Sequence, residues 1–292
     1  LKYLQNYQSL KVIKISSTTI FKKNIFQLLF SILVIFFSIL RSFIFLLINR
    51  PNLVFGTGGY STFSVCIVAK VLRIPFIIYE NNMHIGKANK YLLPYAKKIF
   101  VSNKELEGIS EKYRKKVCEI GNIIRKEILY SKIKPEFDQN DKELKVLILG
   151  GSQAAKVFAE KLTKIFKQCR NAKIILKIYQ QCLPEQSTYL KSFYEDLNID
   201  YEIFNFTNSM LDYFYKTDLV ITRSGSSMLA ELVNAKIPFI SVPLPSSADN
   251  HQLKNAIYYE KNGYSYLIEE KDINTKLFQL IKKINEDISL LN

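Results

Sequence analysis

At 292 residues and 48% hydrophobic side chains, the chain has the length and apolar content for two ordinary domains, which excludes a disordered protein. Its 41 Lys and Arg against 26 Asp and Glu give a net charge of +15, which fits either a lysine-rich solvated surface or an anionic partner. The cysteines Cys66, Cys118, Cys169 and Cys182 form no CxxC, and the two histidines, His84 and His251, argue against a His-based zinc site; the thiols read as free or as small buried hydrophobes of a reducing compartment.

In chain order, Lys11–Ser16 (KVIKIS) alternates and predicts a strand. Asn24 to Leu40 carries no charge, and Arg41 alone interrupts an apolar run that continues to Ile48. A bilayer span needs roughly 20 apolar residues. Asn49-Arg50-Pro51-Asn52 then leaves almost no linker before the next strand. The expectation is therefore a long apolar helix packed on a sheet, partly exposed and touching a membrane, in preference to a true span.

From Leu53 the pattern becomes regular. Strands are expected at Leu53–Phe55, Phe76–Tyr79, Lys98–Val101 and Val117–Ile120, with helices at Ser61–Leu72 and Gly86–Ala96. This is the strand–helix–strand rhythm of a parallel sheet covered on both faces. Residues 126–144 are polar, contain Pro135 and read as a linker. A second rhythm starts at Lys145, with strands at Val146–Leu149, Lys173–Tyr179, Tyr201–Phe204, Leu219–Thr222, Phe239–Val242 and Tyr264–Ile268. Helices are expected at Gln153–Gln168, Met210–Tyr215, Ser227–Asn234 and Asn250–Lys261. The fold class is α/β, with two Rossmann-like domains, 1–130 and 131–292.

Three loops of small residues leave strands and open helices: Gly56-Thr57-Gly58-Gly59-Tyr60, Gly150-Gly151-Ser152-Gln153 and Ser224-Gly225-Ser226-Ser227. Unpaired N–H groups and the helix dipole make such turns anion sites, though each also serves as a plain tight turn or cap. Glu231 stands four residues after Ser227, out of register for a capping box. A carboxylate so placed can accept both hydroxyls of a ribose, or it can be a solvated helix-face residue. Glu80 and Asn82 follow a strand, and Arg125 follows another, suited to a phosphate oxygen. Asp249, His251 and Gln252 lie close together; His251 reads as a base or as surface. No Asp-x-Asp triplet offers a metal for a diphosphate, so helix N-termini and Arg125 are expected to neutralise it, with no metal and no cofactor.

Together these residues resemble one family, the MurG-like peptidoglycan N-acetylglucosaminyltransferases that convert lipid I to lipid II. The resemblance rests on GTGGY at 56–60, ENN at 80–82, GN..R at 121–125, GGSQ at 150–153, RSGSS..AE at 223–231 and VPLP..ADNHQ..NA at 242–256. It implies a GT-B-type fold, with an N-terminal acceptor and membrane domain, a C-terminal UDP-sugar domain, and a cleft between them. It implies an inverting transfer from UDP-N-acetylglucosamine to an undecaprenyl-diphosphate-linked acceptor, at the cytoplasmic face of the inner membrane. Uracil is expected near Thr207, ribose at Glu231, and the diphosphate at the helix starting with Ser226, Ser227, Met228 and Leu229. Ser152 and Arg125 are expected to contact the donor, Gln252 its sugar, and Asn82 the ligand from the first domain. Gly56, Thr57, Gly58, Gly59 and Tyr60 would face the acceptor diphosphate. An acidic membrane surface is the expected docking partner, and nucleic acid is not a partner.

The family's first glycine-rich loop, GGTGGH, whose His is its candidate base, does not occur in this sequence. The expectation is a chain incomplete at its N-terminus, with the catalytic residue unknown and Tyr60 and Glu80 as candidates. Tyr79 stands where the family has a His, and Ala154 replaces a glycine. Two other readings stay open: an inactive relative that binds nucleotide only, and a basic nucleic-acid-binding protein. No helix-turn-helix, RNP-like or zinc motif supports the second.

Overall fold

Runs of β-branched and aromatic residues, several of them stopped by glycine, fold here as short parallel strands joined by helices, and Arg73-Ile74-Pro75 closes the helix ahead of the strand at Phe76. The computed structural model describes residues 10–18, 24–131 and 143–291, and for residues 151–155 and 288 it describes the backbone alone. By contacts, the chain divides into one unit of residues 1–80 and 85–121 and a second of 81–84 and 122–292. The division falls at Gly121/Asn122, ahead of the expected 130/131 boundary.

In the first unit, α1 (Ile25–Asn49) starts at Asn24, whose side-chain oxygen accepts the Phe26 N–H at 2.8 Å. It ends at Arg50, in the left-handed region at φ 35°, just before Pro51. Its polarity is inverted: Ser31, Ser38 and Ser42 are buried, while Phe26, Phe30 and Phe37 are 78%, 67% and 62% exposed. The Ser42 hydroxyl satisfies itself on the Ser38 carbonyl at 2.7 Å, which lets a small polar residue face inward. The helix packs chiefly on α2 (Gly59–Val71), which in turn lies on the sheet. The expected packing directly on the sheet is corrected in this respect.

The strands β1 (Val54–Gly56), β2 (Phe76–Glu80), β3 (Lys98–Val101) and β4 (Val117–Glu119) pair in that order, all parallel. Between them lie α3 (Lys87–Leu92) and α4 (Glu111–Arg114). The expected helix Gly86–Ala96 stops early because Pro94 cannot supply the next N–H. Phe76, Ile78, Ile99, Val101 and the buried Cys66 form its core. Residues 10–18 form no strand, correcting the expectation at Lys11–Ser16. Ile13 and Ile15 instead line a surface pocket of about 320 Å³ with Val54, Phe55, Val65 and Cys66. Alternation alone does not make a strand: without a ladder partner, side-chain burial is what these isoleucines gain.

The second unit opens with α5 (Lys126–Leu129). The linker expected over 126–144 is therefore partly corrected: Ile128 is 1% exposed and joins the core, and Glu143 and Leu144 begin a strand. Residues 132–142 lie outside the described residues. Then come β5 (Glu143–Leu149), α6 (Gly151–Asn171), β6 (Ile175–Gln181), α7 (Ser187–Asp196), β7 (Asp200–Phe204) and α8 (Met210–Tyr215). They are followed by β8 (Leu219–Thr222), α9 (Ser226–Asn234), β9 (Phe239–Ser241), α10 (His251–Lys261), β10 (Ser265–Leu267) and α11 (Phe278–Glu286).

The six strands run parallel in the order β10-β9-β8-β5-β6-β7. The order reverses between β5 and β8, where Val146 to Leu149 pair with Leu219 to Thr222. Alternate residues of β5 feed opposite faces: Val146 and Ile148 meet Phe158, Leu162 and Phe166 of α6, while Leu147 and Leu149 meet Phe214, Leu229 and Leu232. The fold class is as expected, two parallel-sheet, Rossmann-like units. A reversal point opens a crevice at the carboxyl ends of the strands, which makes the end of β8 in this unit the candidate site.

Candidate functional site

β8 is buried along its whole length and delivers its chain to the reversal point. There the Thr222 hydroxyl donates to the Leu149 carbonyl at 3.2 Å, tying the ends of β8 and β5. The next residue, Arg223, turns inward. Its guanidinium donates to the carbonyls of Val242 and Pro243, both at 3.2 Å, pairs with Glu270 at 2.5 Å and sits 4.9 Å from the Phe158 ring. One buried cation thus holds the Pro-rich loop after β9 in place.

Ser224 is fully buried, and among the described residues its hydroxyl has no hydrogen-bond partner. Its carbonyl accepts from Asn255, which is also fully buried. The helix α9 starts immediately after Gly225, so the first N–H groups, at Ser226 to Met228, carry no intrahelical partner. Their surroundings are the segments 81–84 and 122–125 of the same unit. The Ser226 hydroxyl meets the Asn81 carbonyl and Asn122 Oδ1, and the Ser227 hydroxyl accepts from Asn81 Nδ2 at 3.3 Å. Asn82 Oδ1 accepts from Asn255 at 3.1 Å, and the Met83 N–H donates to Asn255 Oδ1 at 2.9 Å.

Glu231 lies five residues into α9 with only 7% of its side chain exposed. Arg125 grips the carboxylate with its fork: Nε donates to Oε1 at 2.8 Å, and Nη2 donates to Oε2. The expectation placed these two groups on different parts of a ligand. In the described protein they are each other's partner. Thr207 accepts the Ser209 N–H at 3.0 Å on its hydroxyl and so fixes the start of α8. Gln252 accepts the Leu244 N–H at 3.0 Å, bracing the same Pro-rich loop. Before it, Asp249 and Asn250 both hold positive φ, 52° and 54°, an uncommon pair outside glycine. His251 Nδ1 meets the Ala248 carbonyl at 2.6 Å. Met228 is half-buried, and the Leu229 side chain is wholly inside the core, leaving only backbone for a ligand. The Ser152 side chain lies outside the described residues; the backbone there begins α6.

The glycine loop of the first unit is a separate matter. Gly56 is obligatory, because a Cβ would stand 2.5 Å from Thr62 Cγ2. Gly58 and Gly59 take φ of 87° and 81°, and the Thr62 hydroxyl donates to the Gly58 carbonyl at 2.6 Å. Thr57 is exposed and Tyr60 half-buried on the first turn of α2. Glu80 is 4% exposed and accepts the Gly86 N–H at 2.9 Å and the Asn89 amide at 3.0 Å. That gives the carboxylate a structural task, tying the start of the helix at Gly86 and Asn89 to the end of β2. Tyr79, where the resemblance expects His, donates to the Gly121 carbonyl at 3.1 Å.

Sequence reasoning read Ser224 only as part of its loop and gave Asn81, Asn122 and Asn255 no role of their own, although each stands inside a quoted motif. Their signal was the recurrence of Asn and Ser next to strand ends, residue types that bond neighbouring backbone.

Comparison with known proteins gives a consistent result. Residues 2–101 match the N-terminal domain of glycosyltransferase family 28, and residues 145–291 match its C-terminal domain. The UDP-N-acetylglucosamine–N-acetylmuramyl-(pentapeptide) pyrophosphoryl-undecaprenol N-acetylglucosamine transferase of Pelagibacter ubique is 35% identical over 274 residues, 94% of this chain and 75% of its own length. The transferase of that name from Rickettsia bellii is 36% identical over 250 residues, 82% of this chain and 70% of its own. The crystal structure of Acinetobacter baumannii MurG superposes with a TM-score of 0.73 at 26% identity, covering 89% of this chain and 72% of that one.

Proposed function

This chain belongs to glycosyltransferase family 28, and from that premise we propose that it transfers N-acetylglucosamine from UDP-N-acetylglucosamine to the lipid-diphosphate-linked muramyl pentapeptide, forming lipid II for peptidoglycan. The supporting observation is Glu231: a nearly solvent-free carboxylate on the helix that leaves the sheet's reversal point, with an arginine in reach. It accepts the two ribose hydroxyls. The start of α9 at Ser226, Ser227 and Met228 holds the diphosphate through its N–H groups. Thr207 borders the uracil, Gln252 the sugar, and Asn82, Arg125 and Ser152 complete the donor contacts. The loop Gly56–Tyr60 meets the acceptor diphosphate.

The chemistry is an inverting displacement. The acceptor hydroxyl oxygen bonds to the anomeric carbon and gives its proton to a base. The bond from that carbon to UDP breaks, and the electron pair leaves on the diphosphate. Fixed N–H dipoles and a guanidinium stabilise that developing charge without a metal.

The acceptor is a membrane lipid, and α1 supplies the docking element. Its length is about 37 Å at 1.5 Å per residue, and its outward face is phenylalanine, isoleucine and leucine. Arg41 sits well inside the helix, where a charge at bilayer centre is costly, so α1 lies in the interface of an acidic cytoplasmic leaflet. The protein is peripheral to the inner membrane.

Thermal melting with and without millimolar UDP-N-acetylglucosamine tests the donor site. A raised midpoint is expected, most of it lost in Glu231→Ala. An unmoved midpoint in the unaltered chain sinks the reading.

A further inference from the structure

We infer that Arg125 is a specificity-determining residue: it occupies the ribose-binding carboxylate of Glu231 until a phosphate draws it away, so that the site admits nucleoside diphosphates and refuses nucleosides. This rests on the reading of Glu231 as the ribose acceptor and adds to it an exchange of partners.

The geometry carries the inference. The Glu231 carboxylate has both oxygens engaged by one guanidinium, in the fork-to-fork arrangement that suits Arg and carboxylate best. The Arg125 backbone N–H adds a longer contact to Oε1, 3.4 Å. A ribose cannot reach Glu231 while this pairing stands. Two neutral hydroxyls give the carboxylate bonds with one charged partner in place of a bidentate fork with two. A nucleoside alone therefore replaces a strong pair with a weaker one, and returns the guanidinium to solvent without a new anionic partner.

A diphosphate changes that balance. Glu231 lies five residues from Ser226, about 7.5 Å along the helix axis at 1.5 Å per residue. The phosphates held at the start of α9 are then within reach of a swung arginine side chain, and Arg125 keeps a bidentate anionic partner while the carboxylate turns to the ribose. Only the side chain has to move. The Arg125 backbone is anchored, because Ile128, three residues on, is buried and its carbonyl accepts from Asn234 of α9 at 3.0 Å. The side chain itself is 39% exposed, so it has a solvated path. Buried acceptor, exposed donor and fixed backbone together make a pair that exchanges partners without unfolding anything around it.

Calorimetric titration of the full chain with uridine and with UDP tests the exchange, beside Arg125→Met and Arg125→Lys. In the unaltered chain UDP is expected to bind at least 100-fold more tightly than uridine. Arg125→Met should weaken UDP about tenfold and strengthen uridine about tenfold, so that the preference collapses. Arg125→Lys, which keeps the charge without the fork, should fall between and stands in if the Met variant does not fold. Parallel weakening of both ligands, or uridine binding left unchanged, overturns the exchange alone. Failure of the unaltered chain to bind UDP overturns the donor-site reading and the exchange with it.

Discussion

The side-chain amide of Asn255 donates to the carbonyl of Ser224 at 3.1 Å, with both residues fully withdrawn from solvent. The same side chain accepts the Met83 N–H and donates to Asn82 Oδ1. One asparagine on α10 therefore fixes the loop after β8 and the segment after β2 together. Asn255→Ala leaves a buried carbonyl and a buried N–H unpaired, a cost of about 1–3 kcal/mol for each group left unsatisfied. Urea unfolding should show a lower midpoint with an unchanged slope. UDP affinity should also fall, since the start of α9 loses its positioning.

Arg223 is expected to be more costly to lose than its surface-like sequence context suggests. Removing it strands Glu270 and the carbonyls of Val242 and Pro243. Breaking such a buried pair typically costs about 3–5 kcal/mol. Arg223→Lys keeps the charge but not the fork, and should recover less than half of the loss in a urea titration.

For Glu80, the structural role and the role of base give opposite outcomes. Glu80→Ala should lower stability by about 1–3 kcal/mol, since the Gly86 N–H and the Asn89 amide lose their acceptor. Glu80→Gln keeps an acceptor oxygen. It should retain most of the stability and most of the transfer rate, measured as radiolabelled N-acetylglucosamine incorporated into lipid. A catalytic base replaced in this way would lose a factor of about 100 to 10,000.

The thiols separate by burial. Burial pushes Cys66 and Cys169 up from 9.0 to about 12, while Cys118 is half-exposed. Native protein at pH 8 should react quickly with a disulfide reagent at Cys118 only, and at the others after unfolding. The pH dependence follows. Between 9.0 and about 12 the unfolded chain has lost protons that the folded chain keeps, so stability declines as pH rises through that window and is complete below it. Replacing both residues by Ala should flatten the decline in melting temperature above pH 9.

The exposed face of α1 predicts binding to vesicles. Flotation with phosphatidylglycerol-rich vesicles should carry the protein up, and phosphatidylcholine alone should do so less. Phe30→Ser with Phe37→Ser, both exposed, should abolish flotation while changing the unfolding free energy, read by urea titration, by no more than about 0.5 kcal/mol for each substitution. Release by carbonate is expected; retention would instead indicate that α1 spans the bilayer.

Much of this protein was legible in its sequence, because the signals are local. Strand–loop–helix punctuation placed β8, α9 and the helix N-termini, and the off-register Glu231 marked itself as something other than a cap. The apolar run at 24–48 announced α1, since length and hydropathy need no partner to be read. Local pattern failed where a partner decides. Lys11–Ser16 alternates like a strand yet has no ladder, and Lys126–Leu129 looks like linker yet buries Ile128 against the helices of the second unit. The pairing of Arg125 with Glu231 could not be read at all: the residues lie 106 positions apart, and each suits a ligand group as well as it suits the other. Sequence determined which chemical groups the site owns. Tertiary structure alone decided that Arg125 and Glu231 meet and satisfy one another, because a buried carboxylate needs a partner.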